Sequence, residues 1–329
     1  MSTGASWRVL VTGGSGFIGT NLVEGLLALG VGQVVNLDIR PPRRSEHATL
    51  WRRCDLLDPS GVEAVARDIH PTHVVHLAAR TDLHGSTARD YVANTEGTRN
   101  VLRALARLSA PPRLVVASSR MVCRIGYQPR AANDYCPPNA YGASKVETER
   151  ILSGSGYGGG WSIVRPTSIW GPWFGVPYRD FFLAVARGRY RHPGEARIRK
   201  SFGYVENTVA QLVGLLRAER SEVDGLVGYL ADYEPIEVLD LARRVAAAAN
   251  APPVRSVPVP LLRVAATGGD VLKRLGWREP PLTRFRLDNL LTDMLHDLEP
   301  VRRVVPTLPT SLDVAVRRTV DWMRSHGEL

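Results

Sequence analysis

The chain has 329 residues, of which 44% are hydrophobic and 22% charged, and this composition is that of an ordinary globular protein with one large domain or two unequal ones. No apolar run reaches the roughly 20 residues that a membrane-spanning helix needs, and the start of the chain lacks the layout of a signal peptide, so we expect a cytoplasmic protein. The net charge of +10 comes from scattered arginines, and Cys54, Cys123 and Cys136 lack metal-ligand spacing, which argues against a nucleic-acid reader, a zinc site and a disulfide framework.

Short apolar runs alternate with amphipathic stretches through the first half of the chain. The apolar runs predict strands at Val9 to Val11, Val34 to Asp38, His73 to Ala78, Arg113 to Ala117 and Trp161 to Val164. The stretches between them predict helices from Phe17 to about Leu29, Ser60 to Ile69, about Ala88 to Leu108, and Tyr141 to about Leu152. Strands that alternate with helices form parallel sheets covered on both faces. The sequence therefore predicts an α/β fold with a doubly wound parallel sheet of the Rossmann type.

After Arg165 the alternation loosens, and prolines punctuate a segment rich in aromatic residues and glycine. A helix from about Asn207 to Ala218 resembles the first half again, and a helix around Val238 to Ala249 follows among short strands. We predict a dinucleotide-binding Rossmann domain over 1–165 and about 202–225, and a smaller α/β substrate-binding region over 166–201 and about 226–329.

The turn between the first predicted strand and the first predicted helix is rich in glycine and reads TGGSGFIG. Its glycines allow a tight turn, close approach of a pyrophosphate and close packing of the helix on the strand. The start of the helix offers free N–H groups to an anion. The turn therefore predicts a dinucleotide site with contacts from Gly13, Gly16, Phe17, Ile18 and Gly19.

Asp38 ends the second predicted strand, about 20 positions after the turn, where a carboxylate accepts hydrogen bonds from ribose hydroxyls. This carboxylate would repel a ribose 2′-phosphate, which favours NAD over NADP. Arg40, Arg43 and Arg44 follow closely and offset part of that repulsion, so the residues alone leave NADP open.

Tyr141 and Lys145 stand four residues apart on a predicted helix, so their side chains project from one face. A neighbouring ammonium favours the phenolate of a tyrosine and brings its pKa toward that of a useful general base. The pair predicts acid–base chemistry at Tyr141. The alternative is a surface tyrosine–lysine pair without a catalytic role.

A series of motifs occurs in one order along the chain. They are the glycine turn, Asp38, Asp55-Leu56, His76-Leu77-Ala78-Ala79, Asn94-Thr95-Glu96-Gly97-Thr98, Ser118-Ser119, Tyr141-Gly142-Ala143-Ser144-Lys145 and Val164-Arg165-Pro166. In this order the chain resembles the extended short-chain dehydrogenase/reductases, specifically the NAD-dependent epimerase/dehydratase group that acts on nucleotide sugars. The resemblance is dense in the first half and thins after about Asp232.

The resemblance implies a catalytic triad of Ser119, Tyr141 and Lys145. Ser119 would bind the substrate oxygen, and Lys145 would also hold the nicotinamide ribose. The further cofactor contacts that it implies are Asp55, Leu56, Ala78, Ala79, Arg80, Asn94, Ser118, Tyr141, Lys145 and Pro166. Asp55 as a turn acid and Asn94 as a helix cap are the structural alternatives.

By the same resemblance, the chain is interpreted as an NAD-dependent nucleotide-sugar epimerase. Tyr141 would take the proton of a sugar hydroxyl while hydride passes to NAD, and hydride would return to the opposite face of the keto-sugar. One alternative is an NAD(P)-dependent sugar dehydrogenase or ketoreductase of the same family. Another is a non-catalytic NAD(P)-binding regulatory protein, which would not need the triad.

Several positions depart from the pattern of the family. Cys123 stands where a tyrosine is frequent, and Arg120-Met121 replaces the Asp-Glu pair of sugar 4,6-dehydratases, which argues against dehydration. Ser168 replaces a frequent asparagine, and Lys200 a frequent arginine.

Six residues are candidates for contact with the substrate: Thr81, His84, Ser168, Tyr178, Lys200 and Arg286. For each of them a solvated or structural role is the alternative. We expect no metal ion, a nucleotide-diphosphate sugar or related small molecule as substrate, and a homodimer formed through the helices around Ala88 to Leu108 and Tyr141 to Leu152.

Overall fold

The computed structural model describes residues 6–194, 197–277 and 282–329. The chain divides into two compact units. The first unit comprises Met1–Ile169, Gly203–Asp232 and Asp297–Thr310, and the second comprises Trp170–Phe202, Tyr233–His296 and Ser311–Leu329. The first unit thus takes in three segments, 166–169, 226–232 and 297–310, that the sequence assigns to the substrate-binding region. That a substrate binds to the other segments stays a prediction.

The described residues form thirteen strands and twelve α-helices. The strands are β1 Arg8–Thr12, β2 Gln33–Asp38, β3 Trp51–Arg53, β4 His73–His76, β5 Arg113–Ala117, β6 Trp161–Pro166, β7 Ser168–Trp170, β8 Arg191–Pro193, β9 Arg199–Lys200, β10 Phe202–Tyr204, β11 Leu226–Leu230, β12 Ile236–Glu237 and β13 Arg255–Val257. The helices are α1 Phe17–Ala28, α2 Pro59–Ile69, α3 Val92–Ala106, α4 Ala140–Ser153, α5 Tyr178–Ala186, α6 Val205–Arg217, α7 Arg220–Val223, α8 Val238–Ala249, α9 Val259–Arg274, α10 Arg284–Leu291, α11 Glu299–Val304 and α12 Leu312–Ser325.

In the first unit, seven of the described strands form one parallel sheet in the order β11-β6-β5-β4-β1-β2-β3. This confirms the predicted doubly wound α/β fold. The chain runs outward from β1 through β2 and β3, then returns to add β4 on the other side of β1. The order of strands therefore reverses between β1 and β4, and open α/β sheets bind ligands at the carboxyl ends of the strands beside such a point.

The apolar runs become strands because both faces of the sheet are covered. On one face, α1 and α6 pack against each other and contribute the fully buried Leu22, Leu26 and Leu212 to a core cluster. On the other face, α2 packs against α3, and α3 against α4. The predicted helices of the first half are confirmed, except that residues 88–91 form a short 3-10 helix ahead of α3. The sequence missed β3, which is only three residues long.

In the second unit, α8 packs against both α5 and α12, and β8 pairs with β13. α9 is different, because it contacts α10 and leaves most of its large apolar side chains in solvent. Leu261 is 61% exposed, Val264 72%, and Leu275, just beyond the helix, 78%. Across the described ranges, none of the helices combines the length and apolarity needed to cross a membrane.

Candidate active site

The glycine turn lies at the switch point, between β1 and α1. Gly13 has a φ of 75°, and a Cβ there would lie 2.6 Å from the backbone nitrogen of Ala78. A Cβ on Gly19 would lie 2.2 Å from the carbonyl oxygen of Gly13. Glycine is therefore required at both positions, by conformation at Gly13 and by close packing at both. Among the described residues, no side chain caps the start of α1, so its N–H groups are available to an anion.

Asp38 is held at the end of β2 by two backbone amides. Its Oδ2 accepts from the N–H of Ser15 at 3.1 Å, and its Oδ1 from the N–H of Arg40 at 2.9 Å. Arg43 donates from Nε to the carbonyl oxygen of Ser15 at 3.1 Å. Burial lowers the pKa of Arg43, and the charge of Arg40 lowers it further. The predicted ribose contact thus lies directly beside the glycine turn and a pair of guanidinium groups.

The three predicted catalytic residues come from the end of β5 and the start of α4. Ser119 lies two residues after β5, and its hydroxyl accepts from the N–H of Met121 at 3.1 Å. It lies near enough to Tyr141 to lower the pKa of that phenol. Lys145 lies one turn further along α4, and Tyr141 and Lys145 are only 7% and 4% exposed. The structure thus places Ser119 beside Tyr141 and buries Lys145 on the same helix.

The start of α4 is fixed against the turn that follows Ser119. The side chain of Asn139 accepts from the N–H of Gly142 at 2.8 Å and caps the helix. A Cβ on Gly142 would lie 2.2 Å from the carbonyl oxygen of Met121. Only glycine allows this approach, which is what brings Tyr141 within reach of Ser119.

Burial controls the protonation of Tyr141 and Lys145. It raises the pKa of Tyr141, and the Ser119 hydroxyl and the charge of Arg120 offset only part of that rise. Burial also lowers the pKa of Lys145 to about 8, against the opposing effect of Glu149. The sequence predicted that the ammonium of Lys145 would favour the phenolate. The structure differs, because removing the phenol from water disfavours its charged form more than its neighbours favour it.

A buried hydrogen-bond network connects the segment after β4 to the helix that carries Tyr141 and Lys145. Asn94 donates from Nδ2 to the carbonyl oxygen of Arg80 at 3.0 Å and to Oγ of Ser144 at 3.0 Å, and its Oδ1 accepts from the N–H of Arg80 at 2.7 Å. Ser144 donates in turn to the carbonyl oxygen of Tyr141 at 2.7 Å. Asn94 therefore ties the segment after β4 to the catalytic helix, which is a supporting role rather than a helix cap.

The ring of His76 connects Thr12 of β1 with Thr98 of α3, two residues to which the sequence assigned no role. Its Nδ1 lies 2.7 Å from Oγ1 of Thr12, and its Nε2 lies 3.1 Å from Oγ1 of Thr98. Burial lowers the pKa of His76 to about 3, and the charge of Lys145 lowers it further. The imidazole is therefore neutral and joins the end of β1 to α3. Position within the family motifs was the only sequence signal for Thr12 and Thr98.

A buried ion pair lies one turn beyond Lys145 on α4. Arg165 of β6 donates to both carboxylate oxygens of Glu149, at 2.8 and 2.7 Å. Both side chains are at most 2% exposed. The hydroxyl of Tyr135 also donates to Glu149, at 3.0 Å. A bidentate pair with an added donor is the arrangement that buried charges require.

The other predicted cofactor residues lie at or just after the carboxyl ends of strands. Asp55 and Leu56 follow β3, Ala78, Ala79 and Arg80 follow β4, Ser118 follows β5, and Pro166 ends β6. Oδ1 of Asp55 accepts from the N–H of Leu57 at 2.9 Å, as a turn acid does. In the described parts of the chain, the buried hydroxyl of Ser118 has no hydrogen-bond partner. An uncapped helix start, a glycine turn and an unpaired strand-end hydroxyl fit a bound dinucleotide.

The six candidate substrate contacts are divided between the units. Thr81 and His84 follow β4 and Ser168 begins β7, all in the first unit. Tyr178, Lys200 and Arg286 belong to the second unit. There the ammonium of Lys200 donates to the carbonyl oxygen of Asn289 at 2.9 Å and to that of Thr292, and the ring of Tyr178 packs edge-on against Phe202. Contact with a substrate stays a prediction for all six.

Comparison with known proteins places this site in a family. The model of the NAD dependent epimerase/dehydratase family matches residues 9–228. The chain is 28% identical to a 2-alkyl-3-oxoalkanoate reductase from Stenotrophomonas maltophilia, over 94% of this chain and 98% of the relative. It is 30% identical to a 3 beta-hydroxysteroid dehydrogenase/Delta 5-->4-isomerase from Mycobacterium tuberculosis, over 90% of this chain and 84% of the relative.

A solved structure shares the fold along nearly the whole length. The UDP-glucose 4-epimerase of Thermus thermophilus, in complex with NAD, superimposes with a TM-score of 0.71. The match covers 96% of this chain and 99% of that one, at 24% identity. The similarity is therefore one of fold.

Proposed function

The chain belongs to the NAD dependent epimerase/dehydratase family, and we propose that it interconverts a secondary alcohol and a ketone with net exchange of hydride with NAD. The observation that carries this proposal is that Ser119 and Tyr141 are buried next to each other after the end of β5, with Lys145 buried one turn further along α4. Two neighbouring hydroxyl groups can bind one substrate oxygen and move one proton to or from it.

At neutral pH the protonation states fit the proton-donor role that reduction of a ketone requires. When bound, NAD supplies the hydride donor or acceptor. Ser119 orients the carbonyl oxygen by donating a hydrogen bond to it. Tyr141 is a protonated phenol because burial raises its pKa, and it gives its proton to the same oxygen. Lys145, with a pKa of about 8, is charged at neutral pH and favours the tyrosinate that remains.

The substrate that we propose is a hydroxy or keto compound with a mostly apolar skeleton. The names of the reductase and dehydrogenase relatives describe such substrates, and both similarities extend over at least 84% of each protein. Ser168, buried in β7, also replaces the asparagine that is frequent in enzymes of the group acting on nucleotide sugars.

A nucleotide-sugar epimerase is the second candidate, and the order of the motifs from the glycine turn to Pro166 favours it. The chemistry at Ser119, Tyr141 and Lys145 would be the same. The difference lies in whether the cofactor is regenerated within one turnover. A homodimer formed through α3 and α4 is part of both proposals.

A cofactor balance separates the two candidates. Purified protein is incubated with NADH or NAD and with 3-oxoalkanoates, hydroxysteroids and UDP-sugars in turn. Loss of NADH absorbance, with one ketone reduced per NADH, is the expected result. Turnover of a UDP-sugar to its stereoisomer, seen by NMR with no net change in NADH, would instead establish the epimerase.

A further inference from the structure

Two of the three cysteines face each other across the base of the loop that leads from the turn after Ser119 to α4. Cys123 and Cys136 are joined by an isolated parallel bridge. The N–H of Arg124 donates to the carbonyl oxygen of Cys136 at 2.8 Å, and the N–H of Cys136 to that of Val122 at 3.0 Å. Paired residues on neighbouring strands lie about 4.8 Å apart, inside the roughly 4.4–6.8 Å between Cα atoms that a disulfide spans.

The sulfur of Cys123 is directed toward the segment that carries Cys136. Its Sγ donates to the carbonyl oxygen of Asp134 at 3.4 Å, and Asp134 lies two residues before Cys136. The Cys136 thiol is also near enough to contribute to the raised pKa of Cys123. Cys123 is buried, whereas Cys136 is partly exposed.

We propose that Cys123 and Cys136 are a redox-modification site, which forms a reversible intramolecular disulfide by exchange with a low-molecular-weight disulfide such as glutathione disulfide. The partly exposed thiolate of Cys136 attacks one sulfur of glutathione disulfide, and the first glutathione leaves as a thiol. The thiolate of Cys123 then attacks the sulfur of Cys136 and displaces the second glutathione. Two cysteine thiols lose their protons and two electrons, and glutathione disulfide gains them as two thiols.

The accessibility of the two thiols sets the order of these steps. Burial raises the pKa of Cys123, so little of it is thiolate near neutral pH. Cys136 is the one that solvent reaches, and Cys123 acts once the mixed disulfide is beside it.

The bridge would connect two pieces of chain that belong to the active site. Cys123 ends the turn that Ser119 begins, and Cys136 lies three residues before Asn139, which caps α4 ahead of Tyr141. Oxidation would close the loop 124–135 covalently. We expect the oxidised protein to melt several degrees higher than the reduced protein, because a closed loop limits the unfolded chain.

The test equilibrates the full chain in glutathione buffers from reducing to oxidising, quenches it in acid, alkylates the free thiols and identifies the products by mass spectrometry. The expected result is a 123–136 linked peptide that accumulates with oxidation, while Cys54 remains a thiol and alkylates on denaturation. Cys123→Ser and Cys136→Ser should abolish the linked peptide and the rise in melting temperature. Cys54→Ser, which removes the third, buried cysteine, should preserve both.

Two results would overturn the proposal. One is that Cys123 and Cys136 both stay thiols at every buffer ratio. The other is that oxidation stops at glutathione on Cys136 with no linked peptide. Both are read from the unsubstituted protein, so a variant that fails to fold does not affect them.

Discussion

The two units of the chain differ in which side chains they keep from water. The first unit buries Lys145, Glu149 and Arg165 almost completely beside its strand ends. The second unit leaves large apolar side chains such as Val264 and Leu275 in solvent along α9. Burying a charged side chain costs several kcal/mol unless the charge is paired. Buried charges are therefore found where they have a partner or a role in catalysis.

This contrast explains where the sequence was informative. In the first unit, the predicted catalytic and cofactor residues belong to short motifs that lie at strand ends or on the helices that follow them. In the second unit, a residue such as Lys200 meets its partners, Asn289 and Thr292, only through contacts about ninety positions apart in the chain. The substitutions below test the contrast, beginning with the largest expected effect.

Replacing Tyr141 with phenylalanine removes the only hydroxyl proposed to transfer a proton. Turnover should fall by roughly 10²- to 10⁴-fold, while NAD binding, measured by titration, and the melting temperature change little. Steady-state kinetics with the substrate found by the cofactor balance provide the measurement. Unchanged turnover would contradict proton transfer by Tyr141.

Glu149→Gln should lower the free energy of unfolding by about 3–5 kcal/mol, because it leaves the guanidinium of Arg165 buried without its carboxylate. Chemical denaturation gives the value. Glu147→Gln on the same helix is the matched control, since its ion pair with Arg99 is 43% and 35% exposed and should contribute less than about 1 kcal/mol. Equal losses in the two variants would contradict a structural role for the buried pair.

A pair of leucines compares a buried position of the first unit with an exposed position of the second. Leu22→Ala opens a cavity in the first unit, where the side chain is 0% exposed, and should cost about 2–5 kcal/mol. Leu275→Ala in the second unit, at 78% exposure, should change stability by less than about 0.5 kcal/mol. A large loss at Leu275 would mean that this side chain is covered in solution, for example by a second copy of the chain.

Lys200→Met removes two charge-assisted hydrogen bonds to carbonyl oxygens near the end of α10. Stability should fall by about 1.5–3 kcal/mol, and KM for the substrate should stay within about twofold if these two bonds are the whole role of Lys200. The paired measurement is denaturation and kinetics on one sample, with Arg286→Met for comparison. A tenfold rise in KM with unchanged stability would assign Lys200 to the substrate, as the sequence predicts.

The neutral His76 should make the first unit sensitive to acid. Its pKa is about 3 in the folded chain against roughly 6.5 when unfolded, so the unfolded chain binds the proton first. Its contribution to stability is complete above pH 6.5 and is lost as the pH falls toward 3. Between pH 7 and 5 the loss should be about 2 kcal/mol, and His76→Gln should remove that part of the slope. His84→Gln, at an exposed position, should not.

The sequence alone determined the α/β fold and the family, favoured NAD as the cofactor, and predicted the members of the triad. These depend on patterns that need few residues: apolar runs long enough for buried strands, glycines at positions where a Cβ has no room, and polar residues directly after strands. Gly13 is an example. Its close approach to Ala78 excludes every larger residue, so the tight packing is visible in the sequence as a glycine.

Only the tertiary structure decided the pKa shifts of these residues and the distant segments that pack against them. It showed that burial raises the pKa of Tyr141, where the sequence predicted a lowering by Lys145, because the sequence does not report how much water surrounds a phenol. It also assigned β11 to the main sheet and joined Cys123 to Cys136 across thirteen positions. Desolvation and pairing between distant segments arise from packing, and no local pattern of residues specifies them.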